Sequence, residues 1–511
     1  MNRILWLLCI PFLALASCKS GGGEAEDTTP APVIERVSTA YEGNTAVAGQ
    51  PVFLLGSNFS PVPAENKVLY GIGVDAASLQ VTDASENHVV FKAPETTKSK
   101  IKVRVARGGK ESNSVEIEYY VPPAMPSIES VATAYEGNKA VAGEPVTVYG
   151  QHFSTTRSQN KILYGTGADA VTLSVTEAAE DHLVFNAPAI EATSLKFKVS
   201  SGGRESNEVE LTYPDPSSWS DNPTITLSGA TTVTIVPGVE WTTFHGVWEG
   251  SIRNINIVKT RLDEHNKLGI FFNYRTSAPE GYPTDIKEGE DYRDLDKKCI
   301  YLDAVAGTNG SMACCQYVRV DGVQENPPVD ADYWIVNCAL TIDKGNPDIV
   351  LVANNYRAQN LTNAANGNVD PPDNTLSVAC AGPLLVFQGL IRSYPEEFSA
   401  DFLKTTHPRT ALGLSKDGKT VIQVTVDGRW NSSDASKRAI GMSTPVLSKL
   451  MKGLGCYKAM NFDGGGGTAM WVYGQGNARN IVNHVCENSS WDGTKLRAAG
   501  TAVYIKSDLK Q

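Results

Sequence analysis

The sequence predicts a multidomain protein in which two all-β sandwiches precede an α+β, β-rich mixed-sheet domain. Three observations support this fold class. A segment of the N-terminal half occurs twice, Gly and Pro are frequent (45 and 27 of 511 residues), and long runs of helical periodicity are scarce. Hydrophobic and polar residues instead alternate over short stretches bounded by Gly, Asn and Pro, which is typical of half-buried strands.

The repeat keeps a constant register. Residues 40–44 recur as 134–138, residues 66–71 as 160–165, and residues 108–113 as 202–207. Because the register never slips, each copy is one folding unit, and we place the units at residues 32–121 and 125–215.

Both units carry the same short motifs at corresponding places. These are Gly49-Gln50-Pro51-Val52 and Phe91-Lys92-Ala93-Pro94, then Gly143-Glu144-Pro145-Val146 and Phe185-Asn186-Ala187-Pro188. The motifs resemble those of the immunoglobulin-like TIG (IPT) family. The resemblance implies antiparallel β-sandwiches that act as spacers or binding units. His152 replaces Asn58 at a loop position, which we interpret as surface variation.

The first residues predict export and anchoring. Arg3 precedes an apolar run over residues 4–16, shorter than the ~20 residues that span a bilayer. Leu15-Ala16-Ser17-Cys18 resembles the lipobox of bacterial lipoproteins. We therefore expect a signal peptide at 1–17, a lipid on Cys18 and a polar, Gly-rich tether at 18–31. The alternative is a plain signal peptide with an incidental cysteine.

The expected location is the cell envelope, on the outer membrane and facing either the surface or the periplasm. The chain carries 45 basic and 56 acidic residues, a net charge of −11, which argues against a nucleic-acid partner. Seven cysteines follow the repeats, and because this number is odd at least one thiol stays free or pairs outside the chain. They are Cys299, Cys314, Cys315, Cys338, Cys380, Cys456 and Cys486. The sequence contains no CxxC pair, so we do not expect a structural zinc site.

A linker at residues 214–218 separates the repeats from a third domain, placed at 220–511. Within it, Pro445 suits the first turn of a helix capped by Ser443 or Thr444. A β-branched strand over 421–426 ends at Asp427-Gly428-Arg429. This charged pair lies either at a functional sheet edge or in a type I′ hairpin turn.

The most unusual stretch is a run of four glycines, Gly464, Gly465, Gly466 and Gly467. It follows Asp463, precedes Thr468, and has strand-like segments on both sides, at 457–462 and 469–473. Four consecutive glycines are costly to order, so we expect the backbone to approach an anion there, phosphate especially. The spacing fits neither a Walker A loop nor GxGxxG. A floppy surface loop is the alternative.

Several motifs of the third domain together resemble the phosphodiester glycosidase family, whose animal members remove N-acetylglucosamine from a sugar phosphodiester. In chain order they are His407-Pro408-Arg409-Thr410, Asp427-Gly428-Arg429, Gly441-Met442-Ser443 and Asn461-Phe462-Asp463-Gly464-Gly465-Gly466. Weaker matches include Glu240, Asn309, Asn483 and Arg497. One departure is Gly467, where the family has serine. Another is the run after Asn309-Gly310, which lacks the family's glycine and aromatics.

The resemblance implies roles for individual residues. Arg409 and Arg429 would clamp phosphate oxygens, and Asp463 or Asp427 would act as nucleophile or as base for water. The backbone of Gly464 to Gly467, with Thr468, would let the sugar phosphate approach. The residues expected to orient the sugar or close the site are Asn309, Glu240, Asn483 and Arg497.

The implied function is a cell-envelope hydrolase that cleaves a sugar from a sugar-1-phosphodiester in a glycan or glycoconjugate. This chemistry requires no cofactor, although Asp427 and Asp463 could instead ligate a divalent cation. The expected partners are that carbohydrate and, through the lipid, the membrane. Two alternatives are a catalytically inert surface protein for glycan binding or adhesion, and a hydrolase of ordinary glycosides with acidic sugars.

Overall fold

The computed structural model describes residues 29–41, 44–71, 77–120, 124–166, 169–272, 294–311, 317–326, 337–352, 377–394, 400–487, 496–497 and 499–511. Cys18 with its signal segment lies outside these ranges, as do Cys314 and Cys315. The chain divides into two compact units, with the boundary between Ala124 and Met125.

The first unit holds the first repeat, which forms a β-sandwich. Its strands are β1 (Val33–Thr39), β2 (Pro51–Ser57), β3 (Lys67–Tyr70), β4 (Ala77–Leu79), β5 (Val81–Ser85), β6 (His88–Lys92), β7 (Lys100–Arg107), β8 (Lys110–Glu111) and β9 (Val115–Glu118). One sheet has the order β1-β2-β6-β5, and the other β4-β3-β7-β8 with β9 also paired to β7. The predicted alternation is confirmed, because Ile101, Val103 and Val105 of β7 are buried in the core between the sheets.

The second unit begins with the second repeat, which has the same topology. Its strands are β10 (Ser127–Thr133), β11 (Pro145–Gln151), β12 (Asn160–Tyr164), β13 (Val171–Ser174), β14 (Glu177–Ala178), β15 (His182–Asn186), β16 (Ser194–Ser201), β17 (Arg204–Glu205) and β18 (Val209–Thr212). The sheets are β10-β11-β15-β14 and β13-β12-β16-β17, with β18 on β16. Even the left-handed turn is shared, since Asn58 and His152 both have φ 63°.

The rest of the second unit is β-rich with few helices, as predicted. Its strands are β19 (Thr231–Val236), β20 (Val239–Trp248), β21 (Ser251–Arg261), β22 (Asn266–Phe272), β23 (Ala304–Asn309), β24 (Val318–Val320), β25 (Val323–Asn326), β26 (Cys338–Asp343), β27 (Asn346–Leu351), β28 (Ser377–Ala381), β29 (Leu384–Phe387), β30 (Leu390–Ile391), β31 (Arg409–Leu414), β32 (Thr420–Val426), β33 (Trp430–Asn431), β34 (Arg438–Ala439), β35 (Lys458–Asn461), β36 (Met470–Val472) and β37 (Thr501–Ser507). The α-helices are α1 (Leu295–Tyr301), α2 (Ala400–Lys404) and α3 (Thr444–Gly453). Short 3-10 helices across the chain are Pro63–Glu65, Glu136–Asn138, Arg157–Gln159, Pro216–Ser218, Ala435–Lys437 and Gly465–Gly467.

The largest sheet of this domain is antiparallel, with the order β19-β20-β21-β32-β31-β35-β29-β30. A four-stranded sheet, β22-β37-β23-β36, shares one hydrophobic core with it, and a five-stranded sheet, β25-β24-β28-β26-β27, extends that core. The other face of the large sheet is covered by α3, whose Leu447, Leu450 and Met451 are buried there. Ser443 is at the N-cap of α3 but makes no side-chain capping bond.

Antiparallel pairing brings three predicted motifs to one edge of the large sheet. Strand β31 begins at Arg409, opposite Val426 at the end of β32, and it also runs antiparallel to β35. The chain continues from β32 into Asp427 and from β35 towards Asp463. The start of β31 therefore lies beside the ends of both neighbours, and three segments that are well separated in the sequence form one site.

Four of the described late cysteines (Cys299, Cys338, Cys456 and Cys486) are free thiols. Burial raises the pKa of the Cys338 thiol well above its usual range, so this group stays protonated and packs as a small apolar side chain. Within the described ranges, none of the helices combines the length and apolarity needed to cross a bilayer.

Candidate active site

Asp463 carries a carboxyl group that combines partial exposure with strong desolvation at the sheet edge. Its backbone is fixed on both sides, because Asp463 N donates to Gly310 O (3.0 Å) and Asn309 Nδ2 donates to Asp463 O (2.7 Å). Burial raises the pKa of Asp463 to about 6, while a hydrogen bond from the Gly464 backbone and the Arg497 charge oppose the rise. A carboxyl group with this pKa can exchange protons near neutral pH.

Asp427 is fully buried and acts as an acceptor for three N–H groups. Asn254 Nδ2 donates to Oδ2 at 2.5 Å, His484 N donates to Oδ2 at 2.8 Å, and Asn483 Nδ2 donates to Oδ1 at 2.9 Å. Burial raises the pKa of Asp427, and these partners counter the rise. With both oxygens engaged by donors, the geometry does not favour Asp427 as nucleophile or as cation ligand.

The four glycines form a tight turn rather than a cradle of free N–H groups. Gly467 N donates to Gly464 O and Thr468 N to Gly465 O, both at 3.2 Å. The absence of side chains is a steric requirement. A β-carbon on Gly464 would lie 2.6 Å from Pro408 O, and one on Gly466 would lie 2.0 Å from an oxygen of Glu487.

Two arginines lie over this turn. The guanidinium of Arg429 would be 3.2 Å from a β-carbon on Gly465, and that of Arg497 would be 2.8 Å from one on Gly466. Arg429 is exposed, and no carboxylate of the described residues forms a salt bridge with it. Arg497 pairs with Glu487, whose Oε2 accepts a hydrogen bond from Nε at 3.0 Å and lies 2.9 Å from Nη2.

Arg409 is placed differently from the prediction. Its side chain is buried, and its guanidinium donates to Met442 O (3.0 Å), Phe402 O (2.6 Å) and Thr405 O (3.3 Å). Burial, followed by the Arg429 charge, lowers the pKa of Arg409 to about 10. These hydrogen bonds connect α2 and the segment before α3 to β31. They occupy two of the three guanidinium nitrogens, Nε and Nη2, which are therefore not free to bind phosphate.

Asn309 and Asn483 are also buried and hold backbone rather than face solvent. Asn309 Oδ1 accepts from Thr410 Oγ1 (2.7 Å) and from Ala469 N (3.0 Å). Asn483 donates to Thr468 O (3.1 Å) besides Asp427, and it accepts from Met470 N (2.8 Å). Both side chains therefore fix the two ends of the glycine turn.

Glu240 is not brought to the site. It is exposed on β20 opposite Lys259, whereas the site end of β21 is Asn254, five residues further along. At roughly 3.3 Å per residue this separation is about 16 Å along the strand. The glycine turn does bring together Asp463, Arg429, Arg497 and Thr468.

Three residues at the site were not assigned by sequence reasoning. Glu487 and Asn254 lie outside any recognisable motif, so no local signal marks them. His407 was part of a motif, but its role was not assigned. Burial, and then the charges of Arg409 and Arg429, lower its pKa, so it is neutral at pH 7, and its buried Nδ1 contacts no hydrogen-bonding atom among the described residues.

No group of three or more His, Cys, Asp or Glu suited to a metal ion occurs in the part of the chain that the structure describes. The sequence offered Asp427 and Asp463 as alternative ligands for a divalent cation. The N–H groups that surround both oxygens of Asp427 are donors, and a cation would have to displace them.

The fold is a β-rich domain preceded by immunoglobulin-like modules, and family models match both parts. The phosphodiester glycosidase family model matches residues 303–506, and the IPT/TIG domain model matches residues 126–213. Both resemblances predicted from the sequence are confirmed by these matches.

Solved structures are similar only at a distance. The catalytic domain of zebrafish N-acetylglucosamine-1-phosphodiester alpha-N-acetylglucosaminidase, auto-inhibited by its pro-peptide, is 16% identical, with coverage of 54% of this chain and 87% of that chain and a TM-score of 0.37. A hypothetical protein from Synechocystis is 12% identical over 92% of this chain and 96% of its own, with a TM-score of 0.36. SGBP-B from a xyloglucan utilization locus of Bacteroides uniformis is 14% identical over 94% and 95%, with a TM-score of 0.17. These TM-scores are too low to support an argument about fold or function, and no curated protein matches the chain.

Proposed function

We propose that the third domain removes a sugar from a sugar-1-phosphodiester by breaking the C1–O bond. The observation that carries this proposal is the half-buried Asp463 carboxyl, with a pKa of about 6, at a turn flanked by the guanidinium groups of Arg429 and Arg497. The match of residues 303–506 to the phosphodiester glycosidase family supports the same reaction class.

The leaving group explains why one reactive carboxylate suffices. Cleavage of C1–O releases a phosphate monoester, which is already a good leaving group and needs little protonation. The site must instead hold the negative phosphate and stabilise the positive charge that develops on the sugar. Arg429 and Arg497 supply the cations, and Asp463 supplies the carboxylate.

Asp463 acts in its ionised form. With a pKa of about 6, roughly nine-tenths of the population is ionised at pH 7. The carboxylate either attacks C1 directly or takes a proton from the attacking water. Retention of configuration at C1 would assign the first role and inversion the second.

Asp427 supports the reaction without touching the substrate. It orients Asn483, which in turn holds Thr468 O at the end of the glycine turn. Asn309 does the same at the other end through Asp463 O. The turn and Asp463 are therefore fixed before substrate binds, which is the condition for efficient catalysis.

The direct test is a turnover screen with diverse sugar-1-phosphodiesters and a parallel panel of aryl glycosides. Wild-type protein should release sugar from members of the first panel, and Asp463→Asn should lose this activity while remaining folded. Turnover of aryl glycosides alone would indicate an ordinary glycosidase. Binding to both panels without turnover would indicate an inert glycan-binding protein.

We propose that no divalent cation is required. Turnover should persist after prolonged dialysis against EDTA. Loss of activity that added Ca²⁺ or Mg²⁺ restores would contradict this part of the proposal and would return Asp463 to the role of cation ligand.

We propose that the domain works outside the cytoplasm, anchored by a lipid on Cys18. Labelling of growing cells with an alkyne fatty acid should tag the wild-type chain, and Cys18→Ser should abolish the label. Labelling that persists in Cys18→Ser would contradict the anchor without affecting the proposed chemistry.

A further inference from the structure

The second β-sandwich is joined to the glycosidase-like domain by a buried cluster of polar and charged side chains. We propose that this sandwich is a structural part of the glycosidase-like domain, which stabilises the strands leading to Asp463, and that its docking depends on the ion pair of Glu144 and Arg392. The two would then unfold together, and the predicted boundary near residue 220 would not separate independent bodies.

The ion pair is shielded from water. Arg392 Nη1 lies 2.6 Å from Glu144 Oε2, with side-chain exposures of only 12% and 15%. Tyr135, 3% exposed, accepts from Arg392 Nη1 at 3.3 Å, and the guanidinium also lies 5.5 Å from the centre of its ring. Two charges buried this way are tolerated only as a pair, so loss of either leaves the other without compensation.

Backbone hydrogen bonds and core contacts also connect the second sandwich to the glycosidase-like domain. Ser393 N donates to Ala134 O at 2.6 Å, next to an antiparallel bridge between Tyr135 and Arg392. Tyr135 and Val141 belong to the same hydrophobic core as the large sheet. Lys452 of α3 also pairs with Glu136 of the same loop.

A chain of contacts runs from this cluster towards Asp463. Tyr394 stacks beneath Arg392 at 5.6 Å from its guanidinium, and its hydroxyl donates to Leu384 O at 2.6 Å. Leu384 begins β29, which pairs with β35, the strand that leads into Asp463. The sandwich is therefore connected to the strand that leads into Asp463 through Arg392, Tyr394 and β29.

The first repeat offers a natural comparison. At the position of Glu144 it has Gln50, and at the position of Tyr135 it has Tyr41, which is 42% exposed. The docking carboxylate is thus specific to the second repeat, although the surrounding motif is the same in both. Gln50 also provides a matched site for a control substitution.

The test uses the full chain and does not depend on catalysis. Glu144→Gln removes the charge at nearly constant shape. We expect its melting transition to fall by several degrees, and hydrogen exchange in peptides covering Leu384–Phe387 and Lys458–Asn461 to rise at least 5-fold. Gln50→Glu, the reciprocal change in the first repeat, should alter neither peptide.

Faster exchange confined to the second sandwich, with both of these peptides unchanged, would overturn the proposal. Tyr135→Phe, which removes only a hydroxyl group, provides a milder version in case Glu144→Gln does not fold. In that variant, faster exchange in the two peptides supports docking, and unchanged exchange contradicts it.

Discussion

Asp463 and Gly467 share one small space, since a β-carbon built on Gly467 would lie 2.8 Å from Asp463 Oδ2. That distance is shorter than a normal contact between a carbon and an oxygen. The carboxylate therefore occupies the place where a side chain at position 467 would begin. The glycine that departs from the family's serine fits the orientation of Asp463 in this chain.

Gly467→Ala should move the carboxylate and reduce kcat roughly 10-fold or more, because small displacements of a reactive group are costly. The melting temperature should change little. Steady-state kinetics and thermal unfolding measure the two effects. Gly474→Ala is the control for kcat, because a β-carbon there meets nothing within 4 Å, although its φ of 68° strains the alanine backbone and lowers stability. It should leave kcat unchanged, and an unchanged kcat in Gly467→Ala would contradict the steric account.

Asp463→Asn should be more stable than wild type at pH 7. The pKa of Asp463 is raised from 3.8 to about 6, so the folded state binds more protons than the unfolded state between these values. Stability therefore falls as pH rises through this window and is constant above it. After allowance for partial exposure we expect a gain of about 1–2 kcal/mol at pH 7 that shrinks towards pH 4. Urea unfolding of both proteins between pH 4 and pH 7 measures this difference in the free energy of unfolding. A difference that does not change with pH would contradict the raised pKa of Asp463.

Arg429→Ala should weaken the binding of inorganic phosphate, used as a competitive inhibitor, by roughly 10-fold or more. A charge-assisted hydrogen bond contributes about 1.5–3 kcal/mol, and Arg429 has no carboxylate partner among the described residues. The inhibition constant measures this effect. Arg261→Ala, an exposed arginine on β21, should leave it unchanged. Equal inhibition of both variants would remove Arg429 from the anion site.

Glu487→Gln should tighten phosphate binding several-fold. Glu487 forms an ion pair with Arg497, accepts a hydrogen bond from its Nε, and lies directly on Gly466. It therefore competes with an anion for the same guanidinium. Phosphate inhibition at two salt concentrations measures the gain, with Glu177→Gln on the second sandwich as control. Weaker inhibition of Glu487→Gln would show that Glu487 organises the site rather than competing for it.

Asp427→Asn should destabilise the protein by about 2–4 kcal/mol, because an amide NH₂ would face N–H donors that now meet an oxygen. Turnover should fall with stability, since Asn483 and the glycine turn lose their anchor. Urea unfolding measures the loss, and Asp181→Asn, whose side chain is 82% exposed, is the control. Full stability with lost turnover would instead favour a catalytic role for Asp427.

The sequence predicted the fold class, and the order of motifs indicated most of the residues that the structure brings together at the candidate site. Asp427-Gly428-Arg429 and the glycine run were recognisable because each lies directly after a β-branched or apolar strand. What the sequence could not supply was the strand register. Only the pairing of β20 with β21 shows that Glu240 lies at the far end of its strand from the site.

The roles of individual polar residues were also beyond the sequence. A sequence motif does not distinguish an arginine that faces a ligand from one that, like Arg409, donates to three backbone carbonyls. Glu487 belongs to no recognisable motif. Its importance arises from its packing on Gly466, which is distant in the sequence but near in space. Burial and hydrogen-bond partners, not residue type, separate these cases.

The proposed reaction of the third domain breaks the bond between the sugar C1 and the phosphate oxygen. Turnover of a sugar-1-phosphodiester in water enriched with heavy oxygen, followed by mass spectrometry of both products, tests it most directly. We expect label on the sugar and none on the phosphate monoester. Label on the phosphate would show attack at phosphorus, and the domain would then be a phosphodiesterase.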